Sequence, residues 1–389
     1  VVGAALVAHE NIAGVCFTGS TPTARRINQS MANALPVGAP LIAETGGLNA
    51  MIVDSTALPE QVVRDVLASA FQSAGQRCSA LRMLYLQADV ADKILTMLFG
   101  AMDQLQVGDP ALLSTDVGPV IDAQAKQKIT AHIAAHEAAG RVLKRLPVPQ
   151  EGLFVAPTVI RLAGIEQLQE EIFGPVLHVA TYAAQDLHQV VDKINQQGYG
   201  LTFGVHTRLD IRVEQLVSRV QAGNIYVNRN QIGAVVGSQP FGGEGLSGTG
   251  PKAGGPQYVQ RLRQPQALVT GALQGLPVVH THLQAAVQQL NQLDMTDWHA
   301  SQQRPMEVAR IFGPATCSNT DLCRDKILLP GPTGELNQLT RIPRGTILCL
   351  GPTREAALLQ ARTALLQGNR VLLVAQAVSL PEHCLPLHY

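Results

Sequence analysis

Gln72-Ser73-Ala74-Gly75-Gln76-Arg77-Cys78-Ser79-Ala80 joins a segment of helical periodicity, Pro59 to Ala74, to an apolar strand-like run, Met83-Leu84-Tyr85-Leu86. Pro59 suits a first helical turn, because its fixed φ is already helical. The helix delivers the chain to Cys78. A thiol attacks carbonyl carbon well once it is a thiolate, and small neighbours leave room for a substrate to reach it. Taken alone, a free Cys is more often a buried small hydrophobe. Upstream, Glu44-Thr45-Gly46-Gly47 sets a carboxylate before two glycines that let the backbone pass close to a ligand. A nucleophilic thiol, a carboxylate able to activate water and a glycine-lined approach are the parts needed to oxidise an aldehyde through a thioester.

Working outward, Val15-Cys16-Phe17 reads as a short strand, followed by Thr18-Gly19-Ser20-Thr21-Pro22 and a helix from Thr23 to Ala34. Such a turn can hold a phosphate on exposed N–H groups. The G-x-G-x-x-G fingerprint is absent, so a plain strand–helix turn reads equally well. Leu41 to Asn49 leads into a strand, Ala50 to Asp54. Val90 to Leu105 and Gln124 to Ala139 read as helices. His132 and His136 lie one turn apart on the second; the spacing suits a metal, but no third ligand is evident and a solvated helix face is the favoured reading. No metal is expected. Strands alternate with helices to about residue 230, which argues an α/β fold. Pro147 to Gly152 is a loop, and 268–303 reads as a linker with helices. From Arg304 a further α/β unit is expected, with strands at Thr346–Leu350 and Val371–Ala375 around a helix, Arg354–Leu366. Gly351-Pro352-Thr353 lacks a phosphate-loop pattern, so that unit is read as structural or docking.

At 389 residues the chain is too large for one compact core and should hold two or more domains. Its 46% hydrophobic and 15% charged content fits a globular protein, and the balance of 29 basic and 29 acidic residues implies no nucleic-acid face. No apolar run approaches the roughly 20 residues needed to cross a bilayer. Cys16, Cys78, Cys317, Cys323, Cys349 and Cys384 form no metal-type pair, which points to a reducing cytoplasm. Val1 falls inside a helical pattern, and the chain closes soon after a strand-like run. It reads as a piece of a longer polypeptide.

Phe17-Thr18-Gly19-Ser20-Thr21, Glu44-Thr45-Gly46-Gly47, Gly75-Gln76-Arg77-Cys78, Glu171-Ile172-Phe173-Gly174-Pro175 and Pro240-Phe241-Gly242-Gly243 together resemble the aldehyde dehydrogenase superfamily, in its order and approximate spacing. Ile42 to Ala50 and Gly233-Ala234-Val235-Val236-Gly237 are similar to its glutamate-γ-semialdehyde branch. Gly245 to Pro256, Leu329 to Glu335 and Ile342 to Gly345 resemble bifunctional members of that branch with a C-terminal extension. The resemblance is dense to about residue 262 and patchy beyond.

It implies an aldehyde-dehydrogenase-like α/β fold and NAD-dependent oxidation of L-glutamate γ-semialdehyde, the open form of pyrroline-5-carboxylate, to L-glutamate. Cys78 is then the nucleophile and Glu44 the general base. Gly19, Ser20, Thr45, Glu171 and Phe173 line the cofactor, with Glu171 at the nicotinamide ribose. Ser79, Gly233 and Ala234 hold the substrate carboxylate. The implied domains are a remnant of the NAD-binding domain (1–43), a catalytic domain (44–247), a tail with linker helices (248–303) and a partial C-terminal α/β domain (304–389). FAD is expected only in a proline dehydrogenase portion of the parent chain, which would be the covalent partner. No nucleic-acid or membrane contact is implied; homo-oligomerisation stays open. The family's second oxyanion donor and the residue choosing NAD over NADP lie upstream of Val1. Alternatives are another ω-carboxylate semialdehyde dehydrogenase, a thiol hydrolase, or an inactive truncated piece with a scaffold role.

Overall fold

The computed structural model describes residues 2–36, 38–263, 280–301, 303–312, 326–351, 353–374 and 386–388. Val1, part of the expected linker (268–279), Ala375, Cys317, Cys323 and Cys384 lie outside them. The chain divides into two compact units, Val1–Arg263 and Gln264–Tyr389.

In the first unit the order is α1 (Val2–Val7), β1 (Val15–Thr18), α2 (Thr21–Ala34), β2 (Leu41–Glu44), β3 (Ala50–Val53), α3 (Pro59–Phe71), β4 (Met83–Gln87), α4 (Ala88–Met102), α5 (Ala123–Ala138), β5 (Val142–Arg145), β6 (Thr158–Arg161) and β7 (Val176–Tyr182). There follow α6 (Leu187–Gln196), β8 (Tyr199–Gly200), β9 (Thr202–His206), α7 (Asp210–Arg219), β10 (Asn224–Val227), β11 (Glu244–Gly245) and α8 (Tyr258–Arg261). Seven strands form one sheet in the order β10-β9-β3-β4-β7-β6-β5. Every pairing is parallel except β5 with β6.

Parallel strands covered on both faces read as continuous apolar runs rather than alternating ones. Met51, Ile52 and Val53 of β3 and Leu84 and Leu86 of β4 are fully buried. Helix α3 presents Val62, Val66 and Ala70 to this core, and α4 presents Ile94 and Leu98. Those positions recur at four-residue intervals, so one face of each helix meets the sheet. A small parallel pair, β1 with β2, sits apart and aligns Thr18 with Glu44.

The expected helix from Pro59 to Ala74 ends early, at Phe71. Ser73 (φ 55), Ala74 (φ 53) and Gly75 (φ 65) then run consecutively through the left-handed region. Each non-glycine residue there costs about 1–2 kcal/mol, so the turn persists because its surroundings hold it. At Gly75 glycine is required, since a Cβ would overlap the Gly174 carbonyl.

The second unit holds α9 (His280–Gln292), α10 (Thr296–Ala300), α11 (Arg304–Phe312), β12 (Lys326–Leu329), β13 (Asn337–Thr340), β14 (Thr346–Cys349), α12 (Arg354–Leu366), β15 (Arg370–Leu373) and β16 (Leu387–His388). β12 and β13 form an antiparallel hairpin, and β14-β15-β16 a parallel sheet. Thr353 caps α12 by accepting the Ala356 N–H, and Ala357, Ala361 and Leu365 bury its inner face with Val371 and Val308. Among the described residues no helix is long and apolar enough to cross a membrane.

Candidate functional site

The loop after α3 carries Cys78, and three groups hold it. The Asn49 amide, 2% exposed, donates to the carbonyls of Cys78 (2.7 Å) and Ala80 (2.9 Å), while its oxygen accepts the Thr202 N–H. Arg77 Nε donates to Ser73 Oγ at 3.0 Å, so this arginine braces the left-handed turn. Gln76 Nε2 donates to Ser73 O (3.3 Å) and Pro119 O (3.2 Å), tying the same turn to the loop before α5.

Burial pushes the Cys78 thiol above its usual range, and the Glu171 and Glu44 carboxylates push the same way. The backbone N–H groups of Ser79 and Cys78 oppose them by pointing at the sulfur. N–H groups that stabilise a thiolate are also placed to stabilise charge on an oxygen added beside it.

Glu44 ends β2, and Gly19 in the turn between β1 and α2 donates its N–H to the Glu44 carbonyl at 3.1 Å. The carboxylate is enclosed by residues from far along the chain. Gly243 N–H donates to Oε2 at 2.8 Å, and Gly248 pairs with Glu44 in an antiparallel bridge. Oε1 is buried without a hydrogen-bond partner. Burial accordingly raises the Glu44 pKa to about 7, against the opposing pull of the Gly243 N–H and the Lys252 ammonium. Lys252 is itself half-buried, donating to Gly242 O (3.0 Å), Asn224 Oδ1 (3.3 Å) and Gly223 O. Thr45 is 4% exposed and donates its N–H to Ser247 O and its hydroxyl to Leu246 O (2.6 Å), closing that loop over β2.

The Glu171 carboxylate turns inward. Oε1 accepts Arg82 Nη2 at 2.9 Å and Nε at 3.2 Å, and the Gly47 N–H donates to the same carboxylate. Gly46 has no space for a Cβ because Glu171 Oε2 occupies it. Phe173 leaves a 43% exposed ring beside this carboxylate, with the Arg82 guanidinium 5.2 Å from its centre. Ser20 caps α2, its hydroxyl accepting the Thr23 N–H, and both Gly19 and Ser20 are exposed at that helix start.

Ser79 is buried, and the exposed Gly233 (φ 77) and half-buried Ala234 lie in the loop after β10. The two segments are rooted at one residue: Leu81 donates its N–H to the Ser69 carbonyl (2.9 Å), and Gln231 donates its N–H to Ser69 Oγ (3.0 Å). The Gln231 side chain is pinned as well, donating to Ala50 O.

The reading of His132 as a solvated helix residue needs correction. It packs on His178 of β7, which the sequence places far away, with their Nε2 atoms 2.9 Å apart. His178 Nδ1 faces the Arg82 carbonyl at 2.9 Å. A carbonyl only accepts, so Nδ1 carries the proton and His178 Nε2 receives the His132 N–H. Burial lowers the pKa values to about 4 for His132 and about 3 for His178, keeping both neutral. Among the described residues no group of three or more His, Cys, Asp or Glu is placed to hold a metal ion.

Arg82, Asn49 and Lys252 escaped the sequence reading. Arg82 and Lys252 left one weak sign each: a lone charge opening an apolar strand, and the one charge within Ser247–Pro256. Asn49 left none.

The Aldehyde dehydrogenase family model matches residues 1–268. The bifunctional protein PutA of Klebsiella aerogenes is 49% identical over 391 residues, covering 95% of this chain and 29% of that protein. A crystal structure of a Bradyrhizobium japonicum proline utilization A (PutA) mutant is similar with a TM-score of 0.66 and 58% identity, over 67% of this chain and 27% of that one. A Thermus 1-pyrroline-5-carboxylate dehydrogenase crystallised with bound NAD is similar with a TM-score of 0.62 and 35% identity, over 67% of this chain and 51% of that one. The chain thus spans about three-tenths of the length of the first of these relatives and about half of the last.

Proposed function

The chain belongs to the aldehyde dehydrogenase family, and we propose that it oxidises L-glutamate γ-semialdehyde to L-glutamate with NAD⁺, the second step of proline breakdown. The observation that carries this reading is a half-buried thiol with two N–H groups at its sulfur, alongside a carboxyl raised to about 7. The likeness to 1-pyrroline-5-carboxylate dehydrogenase supports the substrate class, because glutamate γ-semialdehyde is the hydrolysed form of that imine.

Cys78 sulfur, as thiolate, attacks the aldehyde carbon and forms a C–S bond. The aldehyde oxygen takes the negative charge, and the Cys78 N–H is placed to receive it. NAD⁺, when bound, supplies the two-electron oxidation by accepting the hydride that leaves this carbon, so that a thioester remains on Cys78. Glu44 then takes a proton from water as it adds to the thioester carbonyl; the C–S bond breaks, glutamate leaves, and the sulfur is again a thiolate.

The residues present fit the nicotinamide half of the dinucleotide. Glu171 and Phe173 offer a carboxylate for ribose hydroxyls and an exposed ring. Gly19 and Ser20 stand at an exposed helix start suited to the pyrophosphate. Thr45 would act there indirectly, by holding the 246–247 loop. In the same reading 1–43 is part of the nucleotide-binding domain, 44–247 the catalytic domain, 248–303 a tail with linker, and 304–389 part of a C-terminal α/β domain. A proline dehydrogenase portion of the same parent chain, holding FAD, supplies the substrate.

The direct test compares the full-length chain on glutamate γ-semialdehyde and succinate semialdehyde. A higher kcat/KM for the first is expected; a clear preference for the second would move the assignment to another ω-carboxylate aldehyde.

Selectivity rests on Ser79 and the Gly233-Ala234 N–H groups as three neutral donors for the substrate carboxylate. A hydrogen bond to a charged group contributes about 1.5–3 kcal/mol, so Ser79→Ala should lower kcat/KM for glutamate γ-semialdehyde roughly 10- to 150-fold. An aliphatic aldehyde of similar length should be unaffected. Equal losses on both would show that Ser79 supports Cys78 and does not read the substrate.

A further inference from the structure

Arg82, which takes no part in the scheme above, is bonded to both halves of the site. Its side chain is 1% exposed, and every nitrogen of the guanidinium has a partner. Toward the cofactor side, Nε and Nη2 reach Glu171 Oε1, and Nη1 lies 3.4 Å from Gly174 O. Toward the nucleophile, Nη1 donates to Gly75 O at 2.7 Å and Nη2 to Arg77 O at 3.1 Å. Gly75 closes the left-handed turn and Arg77 precedes Cys78. One planar group thus spans two segments separated by some ninety residues in sequence.

The anchor of Arg82 is rigid in turn. Its carbonyl accepts the His178 N–H at 3.0 Å and faces His178 Nδ1 at 2.9 Å. Its backbone N–H donates to Asn49 O, the residue whose amide holds Cys78. Such a fork has no equivalent in lysine, whose three donors radiate from one nitrogen and cannot meet four acceptors spread around a plane.

We propose that Arg82 is the positioning residue that locks the Cys78 loop and the Glu171–Gly174 segment into one register, so that the thiol and the cofactor-side carboxylate are placed together or not at all. Only the cofactor arm of the test depends on the dehydrogenase reading. Amide exchange and alkylation need no substrate.

The experiment uses the full-length chain carrying Arg82→Lys. It reads amide hydrogen exchange by peptide, alkylation of the Cys78 peptide by iodoacetamide, and NAD⁺ affinity by calorimetry. Losing the two bonds to the Cys78 loop and the three to Glu171 and Gly174 should speed exchange in 72–80 and 170–175 together, speed alkylation of the less enclosed thiol and weaken NAD⁺ binding, at least about tenfold each. Val66→Ala, which makes a cavity under α3, should lower Tm without singling out these two segments. A general loss of packing moves Tm alone, so this pair separates positioning from stability.

A response in one segment only, or alkylation within about twofold of wild type, overturns the proposal. Should Arg82→Lys not fold, Glu171→Gln decides. Among the described hydrogen bonds Glu171 makes none to residues 72–80, yet weakening its hold on Arg82 should raise their exchange; an unchanged loop overturns the proposal. Coupled exchange without any NAD⁺ binding would leave Arg82's role standing and remove the cofactor assignment instead.

Discussion

Cys78→Ala is expected to abolish aldehyde oxidation while leaving NAD⁺ affinity within about twofold of wild type. The loop does not depend on the sulfur. Asn49 holds the Cys78 carbonyl, Arg82 holds the carbonyls of Gly75 and Arg77, and Arg77 braces Ser73, all through groups that alanine retains. Glu171 and Phe173, which the proposed function assigns to the cofactor, are likewise untouched. What disappears is the atom that makes the covalent bond, and no other described cysteine replaces it. Cys16 lies exposed on β1, the strand expected there, and Cys349 is buried in the second unit. Cys16→Ala should therefore match wild type in kcat. Oxidation by Cys78→Ala within about tenfold of wild type, less than about 1.4 kcal/mol of barrier, would remove Cys78 as nucleophile.

Glu44→Gln should separate the two halves of the reaction. The amide keeps an acceptor for the Gly243 N–H, so the 242–248 loop stays in place, but it cannot take a proton from water. Rapid mixing should then show a burst of NADH, of about one equivalent per site, followed by a slow phase limited by thioester hydrolysis. A missing burst with slowed oxidation would place Glu44 earlier in the sequence of events. The pH dependence follows from its pKa of about 7. The base form is the ionised one, so wild-type hydrolysis should climb as pH rises through neutrality, and Glu44→Gln should lose that limb. Stability runs the other way. A carboxyl whose folded pKa is raised favours folding while it is protonated in both states, and that contribution is lost as pH rises from its ordinary 4.5 through about 7. Glu44→Gln should accordingly hold its Tm better than wild type above neutrality.

Local signals carried far in this chain where tertiary structure agreed with them. Arg354–Leu366 emerges with both ends as expected, because Thr353 caps it and its apolar face meets an adjacent strand. Cys78, Glu44 and the glycines near them were legible as residue types with a chemistry. The left-handed turn at Ser73 and Ala74 was not, since neither residue favours positive φ; the conformation is imposed by Arg77, Gln76 and Arg82. The inward turn of Glu171 was hidden for the same reason. Its partner stands 89 positions away, and nothing in Glu170-Glu171 tells which carboxylate is buried. Glu170 is the one left at the surface, paired with Lys128. Contacts between His132 and His178 depend likewise on sheet order, which periodicity along one segment does not encode.

The order of the strands sets a timetable for the chemistry. β3 needs β9 beside it, and Asn49 needs Thr202, 153 positions later, before it can hold Cys78 with its full set of bonds. Glu44 meets Gly243 across 199 positions and its neighbour Ala43 meets Thr249 across 206. At ordinary rates of synthesis, roughly 5–20 residues per second, the ribosome makes the Glu44 carboxylate some ten to forty seconds before the 240–249 loop that encloses it. Throughout that interval the carboxylate lacks the Gly243 and Gly248 contacts that enclose it. Long-range closure of this kind is also the slow part of folding. The enclosure that raises the Glu44 pKa is thus a late product of translation, acquired when the 240–249 segment emerges.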